Sequence, residues 1–152
     1  MPVSDASHLY LDDLKVGQTF KSAAHTITTD EIKAFGARYD PQPFHLDEDA
    51  AMASLFGGLA ASGWMTAAIT MRLVVDSLPL AGGVIGTEGE IAWPKPTRPG
   101  DVLHVESEVL ELTPSRSRPD RGSAKFRITT LNQKGEAVQT FTCRVVVARR
   151  AA

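Results

Sequence analysis

The sequence predicts an α+β protein in which one curved antiparallel sheet wraps around a long buried helix. The helix is predicted from Gly63 to Leu78, where almost every side is apolar, and a helix without a polar face is surrounded by protein. The part of the chain that follows alternates apolar and polar residues, which is typical of strands with one buried face. The apolar faces of these strands are the only large surface that can cover the helix.

Length and composition indicate one folded domain. The chain has 152 residues, of which 43% are hydrophobic and 22% are charged, which is typical of a globular protein with a single core. We therefore predict one domain over residues 1–152, with residues 1–7 as a loose tail. The net charge of −2 argues against a nucleic-acid partner, which usually needs a basic face.

The same sequence predicts a cytoplasmic protein without a membrane or metal partner. It starts without a basic stretch followed by an apolar core, so we expect no signal peptide. The longest apolar run is interrupted by Arg72 and Asp76, so we expect no membrane span. The single cysteine, Cys143, excludes an internal disulfide and a cysteine-pair metal site. Cys143 falls on the apolar face of a strand, which predicts a buried, inert thiol.

The N-terminal third is predicted to hold a strand over residues 16–28 and then a helix that ends before Pro41. Thr28 is the predicted N-cap, with Glu31 completing a capping box. Ile32, Phe35 and Tyr39 form one apolar stripe on this helix.

A second, shorter helix, "EDAAMASLF", should be capped by Asp47 and end at the following glycine pair. Ser62 is the predicted cap of the long helix. The remaining segments are predicted strands: "GGVIGTEGEIAW", "DVLHVESEVLEL", "SAKFRITTL" and "EAVQTFTCRVVV".

The stretch "DPQPFHLD" places two ionisable side chains on one rigid loop. Asp40 and His45 flank a segment in which Pro41 and Pro43 restrict the backbone to an extended form. A bend in this loop would let both side chains meet at one water molecule, and such a pair is suited to general acid–base catalysis. The alternative is that both residues only serve as caps and turn partners, which is common in loops.

The start of the long helix offers a second chemical feature next to this loop. The first N–H groups of a helix have no intrahelical acceptor, and Gly63 has no side chain to shield them. A helix N-terminus also stabilises negative charge. We therefore expect Gly63 to be able to bind a developing oxyanion, although a plain serine cap followed by glycine is a frequent structural arrangement.

The segment "ARYDPQPFHLDEDAAMASLFGGLAASGW" resembles the hydratase motif of the MaoC-like, (R)-specific enoyl-CoA hydratases, and "PTRPGD" before an alternating strand is similar to the same family. The resemblance implies a hot-dog fold. It also implies that Asp40 and His45 hold the water that adds across the 2,3 double bond of an enoyl-CoA thioester, with the individual roles of the two residues open. The Gly63 N–H would receive the thioester oxygen. Coenzyme A would enter as part of the substrate, and no other cofactor is expected.

Two positions depart from the family pattern and bear on the substrate. Gln42 stands where the family has asparagine, and Ser62 stands where the hydratases often have histidine. We predict that Gln42 and Ser62 contact the substrate together with Gly63 and Trp64. Trp64 and Met71 lie on one face of the predicted helix and would close a tunnel, which favours a short or branched acyl group, with a polar end that Gln42 binds.

Two other functions remain open at this point. A hot-dog thioesterase commonly needs a carboxylate on or near the buried helix, where only Asp76 is available, towards the far end. A non-catalytic acyl-CoA-binding domain is favoured by the departures at Gln42 and Ser62.

The arginine-rich segment "SRSRPDRG" is best interpreted as a solvated hairpin rather than a phosphate site. An open sheet edge predicts a symmetric homodimer.

Overall fold

The computed structural model describes residues 8–150, so the predicted tail over residues 1–7 lies outside the described residues. A 3-10 turn at Leu11–Asp13 precedes four helices: α1 Thr29–Tyr39, α2 Pro43–Leu46, α3 Glu48–Met52 and α4 Gly63–Ser77. Six strands complete the fold: β1 Thr19–Lys21, β2 His25–Thr26, β3 Ile85–Ala92, β4 Val102–Pro114, β5 Arg121–Leu131 and β6 Ala137–Ala148. None of the helices in residues 8–150 combines the length and apolar character needed to cross a bilayer.

All strand pairs are antiparallel, and the order across the sheet is β1-β4-β5-β6-β3, with β2 also paired to β4. The predicted alternation is confirmed in β4, in β5 and in β6 from Phe141 onwards, where the apolar side chains point to one buried face. It is wrong at the start of β6, where the consecutive Val138 and Gln139 are both buried and Ala137 is only partly buried. The buried face packs against α4 in the main core: Leu73, Val74, Val105, Val109, Ala124, Phe126, Ile128, Cys143, Val145 and Val147. The predicted α+β class and the sheet packed around a long helix are therefore confirmed.

Helix α4 is less enclosed than its composition predicts. Met65, Thr66, Thr70, Leu73 and Val74 are buried. In the single chain, however, Trp64 is 61% exposed, Met71 41% and Val75 51%. The prediction that protein surrounds this helix is wrong for the isolated chain, because the sheet covers only one of its sides.

Three further local predictions are wrong. The strand expected over residues 16–28 is two short strands, because Ser22 Oγ accepts from the Val105 N–H, in place of a backbone carbonyl, at 2.8 Å. Helix α3 ends at Met52 and does not reach the glycine pair, since Ser54 Oγ bonds to the Ala51 carbonyl and accepts from the Phe56 N–H. Tyr39 was expected on an apolar stripe but is 65% exposed, because it occupies the last turn of α1.

Strand β3 forms one edge of the sheet. It pairs with β6 on one side only, and almost all of its residues are exposed. Within residues 8–150, the other side of β3 has no strand against it, and the apolar side chain of Ile85 is 53% exposed. The single chain thus leaves an open edge next to the uncovered side of α4.

Candidate active site

The structure brings Asp40 and His45 into direct contact. His45 Nε2 lies 3.1 Å from Asp40 Oδ2, and the two side chains are 4% and 19% exposed, respectively. Asp40 follows the last turn of α1, where its N–H donates to the Gly36 carbonyl at 2.9 Å. The proline-framed segment was expected to be extended, but it forms the single turn α2, with Pro43 at a position that suits proline. This turn swings His45 back towards Asp40.

Gly36 allows α2 to pack closely against α1. A Cβ atom built on Gly36 would lie 2.9 Å from His45 Cβ and 3.1 Å from the His45 carbonyl oxygen. Real side chains do not fit at such distances, so any larger residue would push α2 outward. Gly36 therefore helps to set the position of the His45 ring.

A backbone carbonyl fixes the orientation of the His45 ring. His45 Nδ1 lies 2.6 Å from the Ala60 carbonyl oxygen, and a carbonyl can only accept a hydrogen bond. Nδ1 therefore carries a proton, and Nε2 is the nitrogen presented to Asp40. The segment around Ala60 is in turn bound to α2, because the Ala60 N–H donates to the Phe44 carbonyl at 3.2 Å.

Two further side chains donate to Asp40. Ser62 Oγ donates to Oδ2 at 2.7 Å, and Gln42 Nε2 donates to Oδ1 at 2.5 Å. Burial alone would raise the pKa of Asp40, but the hydrogen bonds from Ser62 and Gln42, together with the neighbouring His45, outweigh it and hold this pKa below its ordinary value. Asp40 is therefore ionised near neutral pH.

The contacts of Ser62 differ from the predicted ones. Ser62 occupies the N-cap position of α4, but its side chain makes no capping hydrogen bond. The hydroxyl instead donates to Asp40 Oδ2. Because Ser62 is fully buried, it positions the Asp40 carboxylate and is not itself open to a ligand.

A cavity of about 380 Å³ opens beside this pair, and it is lined by Gln42, His45 and Gly63, among others. This volume lies at the lower end of the range of about 300–1,000 Å³ that is usual for ligand pockets. Within residues 8–150, no protein acceptor engages the Gly63 N–H. The cavity therefore brings His45, which contacts Asp40, next to a free N–H at the start of a helix.

Several residues of the site have no predictive signal in the sequence. Trp93 lines the cavity and covers Gly63, since a Cβ on Gly63 would lie 2.7 Å from the Trp93 ring. Thr66 and Thr97 also line it, and Thr66 Oγ1 donates to Thr97 Oγ1 at 3.0 Å. The segment "PKPTRPGD" indicated only a turn, because its contacts to α4 are made between residues distant in the sequence.

Arg98 fixes the loop that carries Ala60. Its guanidinium donates to the carbonyl oxygens of Gly58 and Leu59, at 2.9 and 3.3 Å, and to that of Phe56. The Phe56 ring lines the cavity and lies 5.0 Å from the Phe44 ring, centroid to centroid. Arg98 therefore connects the turn before β4 to the backbone that orients His45.

Other sequence-predicted residues lie away from this cavity. Trp64 lines a separate cavity of about 340 Å³, which it shares with Met71. Asp76 is exposed and paired with Arg72 at 2.9 Å.

Two further predictions are confirmed elsewhere in the fold. Burial raises the pKa of the Cys143 thiol to about 11, in agreement with the predicted inert thiol. Asp47 caps α3 as predicted, because its side chain accepts from the Ala50 N–H.

The arginine-rich hairpin lies at the opposite end of the sheet. It follows the last residue of β4, a strand of 13 residues that spans about 40 Å at roughly 3.3 Å per residue. The first residues of β4 are those near the site, since Leu103 packs in the same cluster as Met65 and Ala61. The hairpin is thus too far from Asp40 to serve this site within one chain.

Comparisons with known proteins agree with this fold. The model of the MaoC-like domain matches residues 13–130. A crystal structure of a MaoC-like dehydratase from Rhodospirillum rubrum is 62% identical, with a TM-score of 0.92, covering 95% of this chain and 99% of that one. The (R)-specific enoyl-CoA hydratase of R. rubrum is 30% identical over 99% of both chains. The uncharacterised protein YdeM of Bacillus subtilis is 33% identical, over 91% of this chain and 99% of that protein.

The fold is thus the hot-dog fold, with an antiparallel sheet packed against its long helix. The chain belongs to the MaoC-like domain family, as its sequence predicted.

Proposed function

We propose that the chain is a hydratase or dehydratase that adds or removes water across the 2,3 double bond of an acyl-CoA thioester. The observation that carries this proposal is the contact of Asp40 with His45 beside the cavity that Gly63 lines. The similarity to an (R)-specific enoyl-CoA hydratase over almost the whole chain supports the same reaction class. Coenzyme A is part of the substrate, and the expectation that no other cofactor is needed remains a prediction.

His45 is the proton carrier in this proposal. Because its Nδ1 proton is held by the Ala60 carbonyl, Nε2 is the nitrogen that exchanges a proton. With a proton, Nε2 donates to Asp40 Oδ2, and without one it can accept a proton from water. The water oxygen then forms a bond to C3 of the enoyl group, and the electrons of the double bond move towards the thioester. The imidazolium returns one proton to C2, so that one water is added and His45 is neutral again.

Asp40 stabilises and orients this carrier. Its carboxylate accepts from Ser62 and Gln42, which keeps its pKa low and makes it a weaker base than an unperturbed carboxylate. An ionised Asp40 next to Nε2 stabilises the imidazolium that forms when water loses its proton. In the proposed reaction, Oδ2 also accepts a hydrogen bond from the attacking water.

The Gly63 N–H is the proposed donor to the thioester oxygen. Addition of water at C3 places negative charge on that oxygen before C2 is protonated. An N–H at the start of a helix of 15 residues is oriented towards such a charge and costs no reorganisation when the charge develops. Dehydration follows the same steps in reverse.

The thioesterase alternative loses support from the position of Asp76. This residue lies in the last turn of α4, is exposed and is paired with Arg72, whereas the cavity adjoins the first turn. The binding-domain alternative remains distinct, because it predicts affinity for acyl-CoA without turnover. This alternative was favoured by the departures at Gln42 and Ser62. Both side chains donate to Asp40, so these departures leave the contact between Asp40 and His45 in place.

We further propose that the chain forms a homodimer through the exposed side of α4 and the open edge of β3. Trp64, Met71 and Val75 expose an apolar surface there, and an unpaired edge strand is a template for pairing with another strand. A second copy would cover both features with one symmetric contact. The expected location of this dimer is the cytoplasm.

Three measurements with crotonyl-CoA separate the three functions. A hydratase lowers the ultraviolet absorbance of crotonyl-CoA as the conjugated double bond disappears, and a thioesterase releases a free thiol. A binding domain does neither, but acyl-CoA raises its melting temperature. Loss of enoyl absorbance without thiol release is the expected result, and thiol release or binding alone would contradict the proposal.

A further inference from the structure

Two cavities lie next to each other along α4, and Trp93 stands at their boundary. The catalytic cavity of about 380 Å³ is lined by Gly63 and Trp93. A second cavity, of about 340 Å³, is lined by Trp64 and Gln139. The Trp93 ring lies 5.1 Å from the Trp64 ring, edge to face. Trp93 therefore contacts one cavity directly and touches the wall of the other.

A hydrogen bond holds the Trp93 indole in this position. Trp93 Nε1 donates to Gln139 Oε1 at 3.0 Å, and Gln139 is only 1% exposed. An indole N–H can only donate, so the oxygen of the Gln139 amide faces it. A donor bound to a buried acceptor is costly to displace, because the acceptor would be left without a partner.

The indole also lies directly beside the proposed binding point of the thioester. Its ring atoms come within 2.7–3.0 Å of the place where a Gly63 Cβ would stand. An acyl group whose carbonyl oxygen binds the Gly63 N–H would therefore lie against Trp93, and only a longer chain would have to pass it. Beyond Trp93, the second cavity is mainly apolar, with Ile91, Ile128 and Phe141 in its lining.

We propose that Trp93, anchored by Gln139, is the wall that limits the length of the acyl group, so that the substrates are short-chain enoyl-CoA esters. This inference rests on the proposed function of the same site. With the indole in place, the hydrocarbon chain ends in the catalytic cavity. Without it, the two cavities join and accept a longer chain.

The test compares crotonyl-CoA with trans-2-decenoyl-CoA in the full-length protein and in variants of the wall. The wild type should have the higher kcat/KM for crotonyl-CoA. Trp93→Ala should raise the ratio of decenoyl to crotonyl kcat/KM by roughly 10-fold or more, the scale of added contacts in an apolar pocket. Trp93→Phe keeps an aromatic ring but loses the N–H, and should give a smaller rise. Val16→Ala removes an exposed apolar side chain that lines neither cavity, and should leave the ratio unchanged.

Two outcomes would overturn the proposal: a wild type that prefers decenoyl-CoA, or a folded Trp93→Ala variant with an unchanged ratio. If Trp93→Ala does not fold, Gln139→Leu removes only the acceptor and should shift the ratio in the same direction. Unchanged ratios in both Gln139→Leu and Trp93→Phe would then contradict the proposal.

Binding separates a failure of this inference from a failure of the proposed function. If the wild type converts neither ester, the hydratase proposal is wrong, and the wall is judged with the unreactive butyryl-CoA and decanoyl-CoA. Decanoyl-CoA should then raise the melting temperature of Trp93→Ala, or of Gln139→Leu, more than that of the wild type. An equal shift, or no shift with either ester, would overturn the role of Trp93.

Discussion

The hydroxyl of Ser62 donates a hydrogen bond of 2.7 Å to Oδ2 of Asp40, the same oxygen that lies 3.1 Å from His45 Nε2. One carboxylate oxygen thus joins the first residue before α4 to the ring on α2. Ser62 is buried, and it acts on the proposed reaction through Asp40.

Ser62→Ala should change the pH dependence of activity. Loss of this donor raises the pKa of Asp40, which the hydrogen bond holds below its ordinary value. Asp40 then becomes protonated at a higher pH, so the acid limb of the kcat/KM profile should shift to higher pH. A profile measured with crotonyl-CoA checks this result. Ser77→Ala is the matched control, because it removes a hydroxyl from the far end of the same helix.

The same variant should lose stability in a pH-dependent way. A lowered pKa of Asp40 in the folded state stabilises the fold above the ordinary carboxyl pKa, and this contribution disappears as pH falls through the lowered value. Ser62→Ala should therefore lower the free energy of unfolding by about 1–3 kcal/mol at neutral pH, and by less in acid. A loss that is the same at all pH values would show that Ser62 acts only by packing.

Gly36→Ala should move His45 away from Asp40. The new methyl group would lie 2.9 Å from His45 Cβ, so α2 must shift or the chain must accept strain. Overpacking of this kind costs about 1–3 kcal/mol, and kcat should fall while the KM for crotonyl-CoA changes little. Gly86→Ala is the control, because a Cβ there meets no atom within 4 Å. Equal activity of both variants would show that Gly36 does not set the position of His45.

Arg98→Lys should loosen the loop before α4 while retaining the positive charge. Lysine lacks the fixed fork of a guanidinium, so it cannot donate to the carbonyls of Phe56, Gly58 and Leu59 at the same time. The Ala60 carbonyl would then hold His45 Nδ1 less firmly, and kcat should fall by roughly 10-fold or more, since small misplacements of reacting groups are costly. Arg127→Lys, on an exposed pair with Glu108, should be neutral. Unchanged kcat in Arg98→Lys would restrict Arg98 to a structural role.

The assembly prediction is tested on α4. Met71→Glu places a charge on the exposed apolar side of this helix, so it should shift the sedimentation of the protein from dimer to monomer at micromolar concentration. Met52→Glu is the matched control, since Met52 is also largely exposed but lies on α3. A wild type that sediments as an active monomer would contradict the homodimer.

Local sequence patterns predicted much of the fold. The capping box of Thr28 and Glu31 is formed as expected, because both partners belong to one helical turn. The alternation around Val105 and Phe126 identified buried strand faces, because side chains change face at every residue. The contact between Asp40 and His45 was also predicted from their positions on one short segment, and their catalytic role stays a prediction.

The rest of the site depends on packing between distant segments. The bonds from Ser62 to Asp40, from His45 to the Ala60 carbonyl and from Trp93 to Gln139 join residues separated by 22, 15 and 46 positions, respectively. No local periodicity encodes such contacts. The exposure of Trp64 was missed for a similar reason, since composition shows that a helix face is apolar but not what covers it.

Hydration of crotonyl-CoA by Asp40→Asn and His45→Gln tests directly whether the Asp40–His45 pair carries the reaction. Both replacements keep the size of the side chain nearly unchanged, which matters because His45 is buried and truncation there would also remove packing. Each should lower kcat/KM by roughly 10²-fold or more, the scale of lost acid–base catalysis, with a circular dichroism spectrum like that of the wild type. A folded variant of either kind that retains wild-type kcat/KM would contradict the role of the Asp40–His45 pair.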